Sequence, residues 1–233
     1  MNKMISILMS VFNDQENIDN AVTSILNQTY ENFEFLIIDD FSSDYTYEKL
    51  ISHQKKDDRI KIFRNEKNLG LTKSLNFLLY KSRGEFIARQ DSDDISFVDR
   101  LSKQYELVKK QNLAGCTTRA IIKNSSRITP NRSLYLPKKI VMKIKNPFVH
   151  GSLFLRKDEF LNVGGYDENF YYAQDYKLMS DLIMNNKKIS ILKEPLYVLN
   201  LENNISTNFS LEQKYYAQCV KRRKNPVVNN LKI

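Results

Sequence analysis

The stretch Phe86-Ile87-Ala88-Arg89-Gln90-Asp91-Ser92-Asp93-Asp94 decides how the rest of this chain is interpreted. Its apolar start predicts a short buried strand. Three carboxylates follow within four residues, and their mutual repulsion is costly unless water, a metal ion or a basic partner balances it. An Asp-x-Asp at the carboxyl end of a strand can hold a divalent cation, because Mg²⁺ prefers oxygen ligands and shares them with phosphates. The alternative is a solvated acidic turn that caps the next helix.

Length and composition indicate a soluble globular protein of one large domain or two small ones, since the 233 residues are 42% hydrophobic and 27% charged. The apolar run Met4–Phe12 is too short to span a bilayer and lacks a basic leader, so we expect a cytoplasmic protein. Cys116 and Cys219 form neither a disulfide framework nor a metal-ligand spacing. With His53 and His150 as the two histidines, a histidine-rich zinc site is not expected.

Charge is distributed unevenly along the chain. Residues 1–118 carry a net charge of −2 and residues 119–233 a net charge of +11. A basic second half can face a nucleic acid, an anionic membrane or an anionic small substrate, and a basic solvated surface without a partner is the alternative. No nucleic-acid motif occurs and aromatic residues do not alternate with the basic clusters, so we expect no nucleic-acid partner.

Strands and helices alternate through the first 90 residues. Strands are predicted at 4–11, 33–38, 60–63 and 86–88, with helices from residue 18, at 45–54 and at 71–82. This alternation predicts an α/β fold with a mostly parallel sheet and helices on both faces. Further along, the pattern predicts a helix at 97–111, a strand at 113–122, a polar loop at 123–136, a short basic helix at 137–145, strands at 153–155, 189–192 and 196–199, and helices at 173–184 and 211–223.

Polar residues follow several of the predicted strands. Asn13 follows the first strand, Asp39 and Asp40 the second, and Asp91 and Asp93 the fourth. Ligands of parallel sheets bind at the carboxyl ends of the strands, where residues distant in sequence meet. Independent helix caps would explain each acidic residue singly but not their shared position.

Five segments in this order resemble the family 2 glycosyltransferases of GT-A fold. They are Ser6–Asn13 with Glu16, Ile37–Asp44, Asn68–Asn76, Gly84–Asp94, and Gly164-Gly165-Tyr166-Asp167 followed by Gln174-Asp175-Tyr176. The resemblance covers about residues 3–200. It implies a single GT-A domain, with a nucleotide-sugar-binding half at 1–118, an acceptor-binding half with the catalytic base at 119–205, and a C-terminal amphipathic helix and basic tail at 206–233.

The resemblance assigns roles in donor binding to the first half. Asp40 would accept the N–H of uracil as a charge-assisted hydrogen bond. The base and ribose pocket would be lined by Ser10, Phe12, Asn13 and Glu16. Asp91 would lie near the ribose, and Asp93 would hold the Mn²⁺ or Mg²⁺ that bridges the diphosphate. For Asp94 we favour the helix cap.

In the second half, Asp175 matches the general base of the family, which takes the proton of the acceptor hydroxyl. A base opposite a metal-held leaving group implies a single displacement with inversion. Gln174 stands where many relatives have glutamate, which affects sugar or acceptor choice. Further contacts to acceptor or donor sugar are expected from His150, Gly165 and Tyr166. A helix N-cap is the alternative for Asp175, and a packed histidine for His150.

The function implied is that of a metal-dependent inverting glycosyltransferase, of hexosyl- or N-acetylhexosaminyltransferase type. It would move sugar from a nucleotide diphosphate sugar, with UDP favoured, to a glycan or lipid-diphosphate-linked saccharide in surface polysaccharide biosynthesis. The basic cluster at 221–224 and the lysines of 138–145 could attract the inner face of an anionic membrane. Alternatives are a non-catalytic nucleotide-binding relative and a sugar nucleotidyltransferase. The latter expects a Gly-rich basic loop after the first strand, which Ser10–Asp14 lacks.

Overall fold

The structure is a computed structural model that describes residues 2–202 and 209–227, so parts of the predicted segments 119–205 and 206–233 lie outside the described residues. The strands are β1 (Ile5–Val11), β2 (Phe33–Asp39), β3 (Ile60–Arg64), β4 (Phe86–Arg89), β5 (Ile95–Ser96), β6 (Gly115–Ile122), β7 (Ile128–Thr129), β8 (Phe154–Arg156) and β9 (Ile189–Leu199). The helices are α1 (Ile18–Leu26), α2 (Thr46–Gln54), α3 (Leu71–Lys81), α4 (Arg100–Lys110), α5 (Lys138–Val141), α6 (Lys157–Asn162), α7 (Gln174–Met184) and α8 (Ser210–Arg222). Short 3₁₀ turns occupy Arg132–Tyr135 and His150–Ser152.

In the described ranges the strands form one sheet in the order β3-β2-β1-β4-β8-β6-β9-β5, with β7 paired to β6. β1 pairs in parallel with β2 and β4, β2 with β3, and β6 with β9. β8 runs antiparallel between β4 and β6, and β5 and β7 are antiparallel as well. The predicted α/β fold with a mostly parallel sheet is confirmed.

The central strands are buried on both faces, which is why their sequences are continuous apolar runs. Because side chains alternate along a strand, Ile5, Ile7 and Met9 of β1 pack on one face and Leu8 on the other. The first face is covered by α1, α2 and α4, and the second by α3, α6, α7 and α8. No helix of the described ranges combines the length and apolar character needed to cross a bilayer.

The structure differs from the predicted elements in three places, two in the second half of the chain and one in the first. One strand, β9, replaces the two predicted at 189–192 and 196–199, and shifts of register beside Arg119 accommodate Pro195, which lacks a backbone N–H. The predicted loop at 123–136 contains β7 and a 3₁₀ turn. The short strand β5 pairs with β9 and was not predicted, because its two residues carry no periodicity.

Candidate active site

The carboxyl ends of β1 and β2 meet through Asn13, as their order in the sheet requires. Asn13 adopts a left-handed conformation with φ of 50°, which asparagine tolerates better than most residues. Its backbone N–H donates to Ser42 Oγ at 2.9 Å, and its Oδ1 accepts from the N–H of Ser43 at 2.8 Å. At this edge Phe12 is half exposed and Glu16 is exposed, while Ser10 lies opposite Ile38 in the sheet.

Asp40 is buried and organises the loop that leads into α3. Its Oδ1 accepts from Asn65 Nδ2 at 2.6 Å and from the N–H of Leu69 at 2.8 Å, and its Oδ2 accepts from the N–H of Gly70 at 2.8 Å. Gly70 has φ of 83°, and an added Cβ would lie 2.7 Å from the Tyr171 ring. A carboxylate has about four acceptor sites. Asp40 therefore retains capacity for one further donor, such as the N–H of a base.

Asp91 is held from three sides. The buried guanidinium of Arg89 pairs with its carboxylate and donates to the carbonyl of Leu8 at 2.7 Å. The backbone N–H of Asp91 donates to Tyr197 on β9 at 3.1 Å. At Gly151 an added Cβ would lie 2.6 Å from Asp91 Oδ2. Asp91 is thus positioned at the end of β4 by residues from both halves of the chain.

Asp93 and Asp14 form an acidic pair between the ends of β4 and β1. Burial and the charges of Asp91 and Asp14 raise the pKa of Asp93 to about 7. Ser92 Oγ donates to Asp14 Oδ2 at 2.6 Å and joins the two loops. Asp14 is not among the site residues expected from the sequence. Its place directly after Asn13, at a strand end, was the signal that it belongs to this edge.

The acidic edge fits a divalent cation that is shared with substrate, and does not form a closed metal site. Within 2–202 and 209–227, no three His, Cys, Asp or Glu side chains are arranged so that they could hold an ion together. No side chain of these ranges donates a hydrogen bond to Asp93, whose neighbours Asp91 and Asp14 are also acidic. A hard cation would offset this repulsion and take its other oxygen ligands from a diphosphate and water.

Asp94 does not cap a helix, so that prediction is wrong. Its Oδ1 accepts from the backbone N–H of Asn200 at 2.6 Å, and α4 begins only at Arg100. Asp94 is buried, and burial with the charges of Asp91 and Asp93 raises its pKa well above the usual range. Through this hydrogen bond, Asp94 holds the end of β9 beside the acidic edge. A cap was expected because the sequence does not show that the short strand β5 intervenes.

Asp175 is the second residue of α7 and lies beside a residue that the sequence did not single out. Its Oδ2 accepts from Asn146 Nδ2 at 2.7 Å, and Asn146 Oδ1 accepts from the N–H of Phe148 at 3.1 Å. The residue before α7 is Ala173, with φ of 53°, and no side chain caps the helix. The N-cap alternative for Asp175 is thus excluded, and its carboxylate is oriented by Asn146.

His150 and Tyr166 connect the two sides of the site. His150 Nε2 lies 2.7 Å from the hydroxyl of Tyr166, and their rings are nearly perpendicular. Burial and the charge of Arg89 lower the pKa of His150, while Asp175 and Asp91 act in the opposite direction. The segment that carries His150 contacts both carboxylates, because Asn146 donates to Asp175 at 2.7 Å and an added Cβ at Gly151 would lie 2.6 Å from Asp91 Oδ2. Burial also raises the pKa of Tyr166, which keeps its hydroxyl protonated.

Gly165 and Gln174 are less directly placed. Gly165 has φ of 77°, and an added Cβ would lie 3.0 Å from Asn76 Oδ1. Asn76 on α3 exchanges two hydrogen bonds with the backbone of Tyr166, at 2.8 and 3.0 Å. The glycine turn thus docks Tyr166 against α3. Gln174 is buried at the start of α7.

Comparison with known proteins identifies the family. The model of the family described as "Glycosyl transferase family 2" matches residues 6–165, and the chain therefore belongs to glycosyl transferase family 2. It is 36% identical over 183 residues to the O-antigen biosynthesis glycosyltransferase WbnJ of Escherichia coli, covering 75% of this chain and 70% of that protein. It is 32% identical over 185 residues to WfgD of Escherichia coli, covering 78% of this chain and 71% of that protein. WfgD is named as a UDP-Glc:alpha-D-GlcNAc-diphosphoundecaprenol beta-1,3-glucosyltransferase.

Some relatives are considerably longer than this chain. One from Bacillus subtilis (strain 168) is 32% identical over 171 residues, which cover 70% of this chain and 59% of that protein. The crystal structure of the first 349 residues of S. aureus TarS matches with a TM-score of 0.75 at 20% identity, covering 93% of this chain and 64% of that one. The mannosyltransferase PcManGT of Pyrobaculum calidifontis, in complex with GDP-Man and Mn²⁺, matches with a TM-score of 0.74 at 15% identity, covering 95% of this chain and 65% of that one. The expected GT-A fold is thereby confirmed.

Proposed function

We propose that this protein is a metal-dependent inverting glycosyltransferase of hexosyl- or N-acetylhexosaminyltransferase type. It moves sugar from a UDP-sugar to a glycan or lipid-diphosphate-linked saccharide in surface polysaccharide biosynthesis. The observation that supports the proposal is that one short segment, residues 146–151, contacts both carboxylates: Asn146 donates to Asp175 at 2.7 Å, and Gly151 packs against Asp91 so closely that an added Cβ would lie 2.6 Å from its Oδ2. The 1–118 half would bind donor, the 119–205 half acceptor, and 206–233 forms the C-terminal extension.

Donor binding is proposed for the residues at the strand ends. Asp40 would use its remaining acceptor capacity for the base, with Ser10, Phe12, Asn13 and Glu16 around base and ribose. Asp91, fixed by Arg89, would face the ribose. Asp93 would hold Mn²⁺ or Mg²⁺, which when bound offsets the charge that develops on the departing diphosphate.

The proposed reaction is one displacement at the anomeric carbon. Asp175 takes the proton of the acceptor hydroxyl while that oxygen forms the new bond to the anomeric carbon. The bond from this carbon to the diphosphate oxygen breaks, and its electron pair leaves with the nucleoside diphosphate. Attack from the face opposite the leaving group inverts the configuration. Asn146 orients the carboxylate for this step.

Acceptor contacts are proposed for the residues around the base. The ring nitrogens of His150 and the hydroxyl of Tyr166 offer hydrogen bonds to saccharide. Gln174 shapes the start of α7, and Gly165 shapes the turn before Tyr166. The name of WfgD supports a UDP-sugar donor and a lipid-diphosphate acceptor, and TarS has been crystallised with UDP and with UDP-GlcNAc. A lipid-linked acceptor would place the protein in the cytoplasm, in contact with the inner membrane face.

The test is a panel of UDP-glucose, UDP-GlcNAc and GDP-mannose with Mn²⁺ or Mg²⁺, in which released nucleoside diphosphate is measured with and without a saccharide acceptor. We expect Asp93→Ala to lose metal-dependent donor binding, and Asp175→Asn to bind donor without turnover. Asp99→Asn is the matched control, since Asp99 pairs with Lys103 on α4. Wild-type activity in both site variants would overturn the assignment. Formation of a nucleoside triphosphate and a sugar 1-phosphate when pyrophosphate is added would instead indicate a nucleotidyltransferase, and donor binding without any product a non-catalytic protein.

A further inference from the structure

A row of exposed apolar side chains lies just before Asn146 in the chain. Leu136, Ile140 and Ile144 are 53%, 56% and 68% exposed; Leu136 precedes α5 with an extended backbone, and Ile140 and Ile144 lie one turn apart. Helical turns continue beyond α5, because the N–H of Ile144 donates to the carbonyl of Val141 at 2.9 Å. The residues on the opposite side, Val141 and Met142, are buried. The segment is therefore anchored to the core by one side and presents apolar side chains on the other.

The same segment, residues 135–145, is strongly basic. Lys139, Lys143 and Lys145 are exposed beside the apolar row. The sequence from residue 107 to residue 157 contains no Asp or Glu, so the charge is not offset locally. Lys145 also lines a groove of about 570 Å³ together with Arg119 and Arg127. Tyr135, which is 73% exposed, has the ammonium of Lys193 6.0 Å from its ring centroid.

We infer that residues 135–145 form a membrane-docking surface that inserts Leu136, Ile140 and Ile144 into the interface of an anionic bilayer. Apolar side chains flanked by lysines are the composition that binds such interfaces, through buried apolar area and attraction to anionic lipids together. Charge complementarity favours this occupant over a second copy of the chain, whose own 135–145 surface is equally basic.

Docking of this surface would bring the candidate base Asp175 to the membrane, an inference that rests on the proposed function. Asn146, the next residue after the segment, donates to Asp175, and the hydroxyl of Tyr176 donates to the carbonyl of Met142. The candidate base is thus fixed directly to the docking surface. A saccharide carried on a lipid diphosphate would meet Asp175 near the plane of the headgroups. Within residues 209–227, the exposed apolar side chains lie either near the start of α8, as Leu211 does, or beyond its end, as Val227 does, so we assign docking to 135–145 rather than to the basic cluster at 221–224.

The experiment is sedimentation of the full chain with vesicles of phosphatidylglycerol and phosphatidylcholine in equal parts, and with vesicles of phosphatidylcholine alone. We expect Lys139→Gln with Lys143→Gln to weaken binding to the anionic vesicles by about fivefold for each lysine. Ile140→Ser with Ile144→Ser should weaken it by about tenfold or more, and should remove the binding that persists at high salt. The matched control, Lys221→Gln with Arg222→Gln, should bind as the wild type does.

Wild-type binding by the isoleucine variant would overturn the proposal, as would an equal loss in the C-terminal control. Sedimentation velocity tests whether a second copy of the chain occupies the surface instead. If the wild type forms a dimer that only the isoleucine variant loses, and vesicle binding is unchanged, the surface is a contact between copies. Turnover with a lipid-free acceptor should be the same in every variant. An inactive wild type that still binds vesicles would count against the proposed function and leave the docking surface in place.

Discussion

The backbone N–H of Asp91 donates a hydrogen bond of 3.1 Å to the phenolic oxygen of Tyr197, although the two residues are 106 positions apart in the chain. Tyr197 is fully buried, and the guanidinium of Arg100 lies 5.5 Å from its ring centroid. Burial raises the pKa of Tyr197 well above its usual range, so the phenol stays protonated. Strand β9 thereby sets the position of a residue at the proposed donor-binding edge.

Tyr197→Phe should weaken donor binding more than it slows turnover. The ring would still pack on Arg100, but the N–H of Asp91 would lose its buried acceptor, which costs about 1–3 kcal/mol. We expect the KM for the donor to rise about fivefold, with kcat changed less, and stability in urea to fall by a similar energy. Tyr105→Phe, on α4 and away from the edge, is the control. An unchanged KM in Tyr197→Phe would show that Asp91 is held without this bond.

The acidic edge should make stability depend on pH when no divalent cation is present. The pKa of Asp93 in the folded protein is about 7 against an ordinary value of 3.8, so the folded chain binds this proton more tightly than the unfolded chain. Its contribution to stability is complete below about pH 4 and is lost as the pH rises to about 7. The difference between the two pKa values corresponds to roughly 4 kcal/mol, and solvent screening of this partly exposed carboxyl leaves about half of it. We therefore expect Asp93→Asn to be about 2 kcal/mol more stable than wild type at pH 8, and equally stable at pH 4, in urea unfolding.

Asp14→Asn provides the control for this effect. Removing one of the two carboxylates that act on Asp93 should lower the pKa of Asp93 and shift the stability loss to lower pH. Added Mn²⁺ should stabilise the wild type more at pH 8 than at pH 5, because the cation competes with the proton for the same carboxylate. A wild-type stability that is flat between pH 4 and pH 8 would contradict the assignment.

Gly151→Ala should disturb the proposed donor edge without adding or removing a charge. The added Cβ would meet the hydroxyl of Tyr197 and would lie 2.6 Å from Asp91 Oδ2, so one of them must move. We expect a loss of about 1–3 kcal/mol in stability and a raised donor KM. Gly164→Ala is informative beside it, because its added Cβ meets no atom within 4 Å while its φ of 86° still strains alanine. Only the first variant should change the donor KM.

Asn146→Ala should reduce kcat and leave donor binding intact. The amide holds the Asp175 carboxylate at 2.7 Å, and without it the base samples unproductive orientations. We expect kcat to fall about tenfold, with the donor KM within about twofold of wild type. Asn146→Asp would set a second carboxylate against Asp175 and should reduce kcat further. If both variants turn over as wild type does, Asn146 does not position the base.

The shared position of the acidic residues was largely predictable from the sequence, and the contacts that hold them were not. Alternating strands and helices place Asp40, Asp91 and Asp93 after β2 and β4, on either side of β1, because parallel strands end at one edge of the sheet. By contrast, Tyr197 and Asn146 reach the site through pairings of β9 and turns after α5 that leave no periodic signal. Pro195 suggested a break between two strands, because the shift of register that accommodates it lies on β6, beside Arg119, and cannot be seen from the sequence of β9.

The antiparallel strand β8 has a consequence for how the chain is made. Its residues, Phe154–Arg156, leave the ribosome after β4 and β6, yet they lie between these two strands in the sheet. Until then both neighbours present unpaired backbone edges, which are templates for pairing with other chains. We expect nascent chains stalled before residue 154 to aggregate or to need a chaperone, and folding to become cooperative only when β8 has joined β4 to β6 and β9 has paired with β6.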